Sequence, residues 1–135
     1  MGKLETEVVT VQQAVDLLQA LYGVQELEGL KFATKVAINM SNIEEQLRPL
    51  DEVMRPSKEF EAFAKIIQGV QNDQEKIAEL EEQNAELVEE RKKQIASVEA
   101  MLEDQIEVEL IKIPSNILPN KINAQQIRGL KLLIV

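Results

Sequence analysis

Apolar residues recur at helical spacing through most of this chain, in separate runs. Val11, Ala14, Val15, Leu18 and Leu21 form the first stripe, three or four apart as one face of a helix requires. Thr10 precedes it with Gln13 three residues on, the spacing of a capping box. Gly23 is a natural stop, so the pattern predicts a helix over 10–22. A second helix is predicted over 29–54, where Leu30, Ala33, Ala37, Met40, Ile43, Leu47, Leu50 and Met54 recur at the same spacing. Pro49 lies inside that run. It cannot donate to the carbonyl four residues back, so a kink or an early end is expected near 46–48. Pro56 then marks a turn, and Ser57 is a suitable cap for a third helix.

From 57 to 105 the helical spacing continues with no proline and with Gly69 as the sole glycine. The pattern predicts one long helix here, roughly 75 Å at about 1.5 Å per residue. Its stripe slips by one residue between Ile77 and Leu80, which a coiled coil would absorb as a local overwinding. Past 105 the period changes from helical to alternating. Ile106, Val108 and Leu110 alternate with Glu107 and Glu109, predicting a strand over 106–113 that Pro114 ends. Asn123 with Gln126 repeats the capping-box spacing, and a last helix is predicted over 123–134. The apolar end Leu130–Val135 either docks in the core or forms an interface.

These elements describe a mainly α protein, one helical domain over 1–135. Its centre is an antiparallel helical hairpin or coiled coil with a long third helix, beside one short β-strand and a C-terminal helix. The short Arg55-Pro56-Ser57 link implies that the second and third helices pack antiparallel. The second can cover the third only to about residue 83. Residues 84–104 would overhang, leaving Leu87, Ile95, Val98 and Leu102 in need of burial. Exposing each would forfeit about 1.5–3 kcal/mol, so a homo-oligomer is expected, with Asn84 either a register-setting polar residue in the seam or, if the stripe drifts, a residue facing water.

Composition and charge narrow the chemistry. The chain of 135 residues is 44% hydrophobic but 3% aromatic, with no Trp, so its core is built from aliphatic side chains. With neither Cys nor His, disulfides, thiolate nucleophiles, zinc fingers and His-based triads are excluded. The net charge is −9. Residues 72–104 hold eleven acids and four bases, a density that disfavours duplex nucleic acid as a partner. The Glu runs read as solvated faces and not as a metal site, since hard cations need oxygens converging from several elements. No enzyme activity, cofactor or metal is expected. No stretch approaches the roughly 18 apolar residues of a membrane span, and the first ten residues lack the apolar region of a secretory signal, so a cytoplasmic protein is expected.

Two basic groups are the candidate ligand sites. Arg91, Lys92 and Lys93 form the one basic cluster of the third helix, and Arg48, Arg55 and Lys58 gather around the hairpin turn. Either could hold a small anionic ligand such as a nucleotide, or pair with the acids around it.

Several segments resemble a class of short, uncharacterised helical coiled-coil proteins encoded by tailed bacteriophages. The matching residues are Leu30-Lys31-Phe32-Ala33, Glu45-Gln46-Leu47-Arg48-Pro49-Leu50, Arg55-Pro56-Ser57-Lys58-Glu59-Phe60 and, toward the end, Glu109-Leu110-Ile111-Lys112-Ile113-Pro114, Leu118-Pro119 and Ile122 to Leu130. The resemblance spans roughly 28–134 and has no catalytic residues to transfer. It implies a phage-encoded protein acting in the cytoplasm of an infected bacterium. The expected function is a non-enzymatic, self-associating protein that binds and sequesters a host protein or a nucleotide immune signal, in counter-defence or host takeover. The alternative is a virion component or assembly chaperone.

Overall fold

The computed structural model describes residues 3–135; Met1 and Gly2, where the expected single domain begins, lie outside the described residues. The element order is β1 (Leu4–Thr10), α1 (Val11–Val24), α2 (Leu30–Met54), α3 (Lys58–Gly69), α4 (Gln74–Gln83), α5 (Ala85–Met101), β2 (Gln105–Ile111) and α6 (Ala124–Gly129), with a 3₁₀ turn at Ser115–Ile117. The protein is mainly α, with one two-stranded antiparallel sheet. The chain divides into two compact units, one of residues up to 49 together with 102–135, the other of residues 50–101.

The first unit is built on the sheet. β1 and β2 pair antiparallel from Leu4 opposite Ile111 to Thr10 opposite Gln105. Val9, Val108 and Leu110 are buried and share one sheet face, since alternate residues point the same way. α1 begins where β1 ends, and the expected cap is present: the Thr10 hydroxyl accepts from the Gln13 N–H at 3.1 Å while the Thr10 N–H donates to Gln13 Oε1 at 2.9 Å. The buried stripe of α1 is Val11, Ala14, Leu17, Leu21 and Val24.

The stripe read for α2 holds at Ile43, Leu47 and Leu50, which are buried, and shifts in the first half of the helix. Its buried positions are Phe32, Val36, Asn39, Ile43, Leu47 and Leu50, and Leu30, expected inside, is 85% exposed. Two overlapping helical stripes exist in this segment, and packing selects the one that contains Phe32, the larger apolar payload. The helix also runs through Pro49 to Met54, so the early end expected near 46–48 does not occur.

The last helix is shorter than the predicted 123–134. It ends at Gly129, and the chain then turns so that Leu130 and Leu133 are fully buried. Ile113 gains backbone bonds from this segment, donating to the Leu133 carbonyl at 2.7 Å and accepting from the Val135 N–H at 3.1 Å. The apolar end is therefore docked in the first unit. β2 likewise stops at Ile111, with Ile113 in an isolated bridge to Ile134.

α6 packs on α1 with little room. A Cβ at Gly129 would stand 2.9 Å from the Ala20 Cβ. Alanine near a helix end would ordinarily gain up to about 1 kcal/mol over glycine, but overpacking costs about 1–3 kcal/mol. Gly129→Ala should therefore lower the thermal midpoint by several degrees, read by circular dichroism; an unchanged or raised midpoint would show that the helices separate freely.

The second unit corrects the largest expectation from the sequence. The stretch 57–105 is not one long helix but α3, α4 and α5. Ser57 caps α3 as expected, accepting from the Phe60 N–H at 3.1 Å. After Gly69 the Val70 N–H bonds the Ile67 carbonyl. Asp73 starts the next helix, its carboxylate accepting from the Lys76 N–H at 3.1 Å. α3 thus ends on a turn at Val70, and Asp73 is the side-chain cap of the next helix, a local signal that the continuous apolar spacing outweighs in the sequence. The second break is at Asn84, whose backbone leaves the helix (φ −117°, ψ 34°) while its side-chain amide donates to the Leu80 carbonyl at 2.8 Å. α3 packs against α5, so the hairpin formed here lies within the stretch read as one helix. The expected overhang of 84–104 is consequently replaced by a fold-back.

Candidate functional site

Folding α5 onto α3 creates an open cleft in the second unit. Its apolar lining includes Phe60, Phe63, Ala64, Ile67 and Val88, and Glu81, Arg91 and Lys92 bring charges of both signs to it. The cleft is about 330 Å³ in volume. The Phe60 and Phe63 rings meet at 5.9 Å between centroids, tilted by 55°, a favourable edge-toward-face arrangement.

Arg91 fixes this cleft in place. Its guanidinium lies 5.7 Å from the Phe60 ring centroid, within cation–π range. Its Nη1 donates to the Met54 carbonyl at 2.7 Å and to Gln94 Oε1 at 3.3 Å. Met54 is the last residue of α2 and its carbonyl has no partner from continued helix. Arg91 thus supplies a donor that a C-terminal helix end lacks. Of the candidate basic cluster, Arg91 is engaged in holding the unit together, Lys92 lines the cleft and Lys93 is exposed.

The other sequence-derived candidates are dispersed. Arg48 belongs to the first unit and pairs with Glu45 at 2.7 Å, both side chains well exposed; such a pair contributes about 0–1 kcal/mol. Arg55 and Lys58 lie in the second unit, Arg55 exposed and Lys58 at the start of α3. Of the expected oligomer seam, Val98 is buried within the chain and Leu87 and Leu102 are half-buried. Ile95 remains 41% exposed, and Asn84 serves the α4–α5 break.

A second cleft, of about 370 Å³, lies in the first unit between α2 and the sheet, lined by Thr6, Asn42, Glu45, Gln46, Glu107 and Glu109. Its three carboxylates do not converge: among the described residues no group of three or more His, Cys, Asp or Glu side chains is placed to hold a metal ion. No described helix is long and apolar enough to cross a membrane.

The sequence pattern did not single out Asn39, the one buried polar side chain among the described residues. It is fully buried. Its Nδ2 donates to the Ile111 carbonyl at 2.9 Å and its Oδ1 accepts from the Ile111 N–H at 2.7 Å. One turn on, Asn42 Nδ2 donates to the Glu109 carbonyl at 3.0 Å. Two side-chain amides of α2 therefore stand in for a third strand along β2. The available signal was the spacing Phe32, Val36, Asn39, Ile43, a polar residue at a core position of a helical stripe.

No protein-family model matches this chain, and no curated protein and no solved structure matches it.

Proposed function

We propose that this chain is a non-enzymatic, self-associating binding protein whose second unit captures an amphipathic helix of a protein partner in the α3–α5 cleft. The observation that carries this reading is the cleft itself, an apolar floor with Lys92 and Glu81 of opposite sign alongside it. Such a trough fits a helix with an apolar face and mixed charges at its flanks. The exposure of Ile66, Ile95 and Met54 in a unit whose buried side chains are Leu50, Phe63 and Val98 supports it, because a thin core gains from a partner that covers apolar surface. A protein is favoured over a nucleotide because Arg91 is already committed to Met54 and Phe60. The phage resemblance of 28–134 supplies the setting: a host protein held and removed from action in the bacterial cytoplasm.

Ala64→Glu tests this. Ala64 is half-buried in the cleft lining, and a carboxylate there would be desolvated by a docking helix. One host protein should be captured stoichiometrically from infected cells by the natural chain. Its affinity for the variant should drop by roughly tenfold or more, with the helical circular dichroism unchanged. Equal capture by both chains would overturn the reading, as would tight calorimetric binding of a cyclic nucleotide that Ala64→Glu leaves intact.

A further inference from the structure

The sheet has one edge served by α2 and one edge that is open. Ile111 directs both its N–H and its carbonyl to Asn39, so it turns away from its partner Leu4 in the register. In an antiparallel ladder such residues alternate with the hydrogen-bonded ones. Glu5–Leu110, Glu7–Val108 and Val9–Ile106 are therefore the bonded pairs, and the Val11 N–H donating to the Asp104 carbonyl at 2.9 Å continues the same phase. It follows that Leu4, Thr6 and Val8 point their backbone N–H and carbonyl groups outward. No hydrogen bond to them is present among the described residues. Their side chains share one sheet face, on which Leu4 is 51% and Val8 is 58% exposed.

We propose that β1 pairs with β1 of a second copy of this chain, antiparallel about Thr6, joining two sheets into one of four strands. This register is self-complementary. Thr6 faces Thr6 of the second copy, and Leu4 faces its Val8. Every outward N–H and carbonyl of Leu4, Thr6 and Val8 gains a partner, and the two exposed apolar side chains cover each other. A shift of the centre by two residues leaves part of the edge unpaired and separates Leu4 from Val8. The opposite face carries the cost: Glu5 stands across from Glu7 of the second copy. The Lys112 ammonium, 3.0 Å from Glu7, offsets part of that repulsion. A ladder of about five residues spans only roughly 17 Å, so the dimer is weak, with a dissociation constant of roughly tens to hundreds of micromolar. This inference deepens the self-association part of the proposed function and is independent of the α3–α5 cleft.

Sedimentation equilibrium of the full chain across that concentration range tests it with two variants. Val8→Lys places an ammonium at the open edge and should leave a monomer throughout. Glu5→Lys sets a cation opposite Glu7 of the second copy and should tighten the dimer by roughly tenfold. Both should retain the natural circular dichroism. In the natural chain the Thr6 and Val8 amides should gain exchange protection as concentration rises. A natural chain and a Glu5→Lys chain that both stay monomeric would overturn the self-association reading altogether. A dimer that Val8→Lys leaves intact would overturn the edge pairing alone. In either case capture of a partner by the cleft, read with Ala64→Glu, stands or falls separately.

Discussion

Asn39→Ala should be the most destabilising polar substitution in the first unit, lowering stability by about 2–5 kcal/mol. The side chain is fully buried and pairs with both backbone groups of Ile111, itself buried. Alanine removes both partners. Each buried backbone group left unpaired costs about 1–3 kcal/mol, against a total of roughly 5–15 kcal/mol for a folded domain. With a urea slope of about 1–2 kcal/mol per molar, the midpoint should fall by roughly 2 M. Asn39→Asp should not rescue it: a carboxylate can accept from the Ile111 N–H but cannot donate to the carbonyl, and it brings a buried charge. Asn42→Ala is the internal comparison. Its bond to Glu109 is single and exposed, and its loss should cost about 1 kcal/mol or less. Equal midpoints for Asn39→Ala and Asn42→Ala would show that the α2–β2 connection does not depend on the paired amide.

Phe63→Ala should unfold the second unit while the sheet survives. Phe63 is buried, packs on the Phe60 ring at 5.9 Å and shares the buried interior of this unit with Leu50 and Val98. Removing a buried phenyl ring costs about 3–5 kcal/mol, which rivals the whole stability of a small, thinly cored unit. The two units are separately compact and can open separately. Hydrogen exchange should show amides across 58–101 losing protection while Glu5, Glu7, Val108 and Leu110, bonded within the sheet, retain theirs. Simultaneous loss in both units would mean that they unfold as one. Phe63→Leu should cost far less, since most of the volume is kept.

Capping is local chemistry, and Thr10 with Gln13, Asn123 with Gln126, and Ser57 all cap helices where the spacing predicts. Asn39 is the opposite case: its partner is Ile111, 72 residues away, and no helical period announces a side chain that completes a sheet edge. β1 is similar. Leu4–Thr10 lacks a clear alternation of apolar and polar residues, and it becomes a strand because β2, about a hundred residues later, supplies the ladder. The basic cluster Arg91-Lys92-Lys93 was visible as charge, but not that Arg91 turns onto Met54 and Phe60.

By itself the sequence determined the helical class, most helix starts, the second strand and the exclusion of thiol and histidine chemistry. Each rests on a residue's own properties or on neighbours three or four positions away. Only the tertiary structure decided which of two stripes α2 buries, where the stretch 57–105 breaks, and which side chains line a cleft. A continuous apolar period is equally compatible with one long helix and with helices folded back on each other. The choice falls to the fold-back because it covers Phe60, Phe63 and Val88 with residues of the same chain, which an extended helix of this length leaves to water.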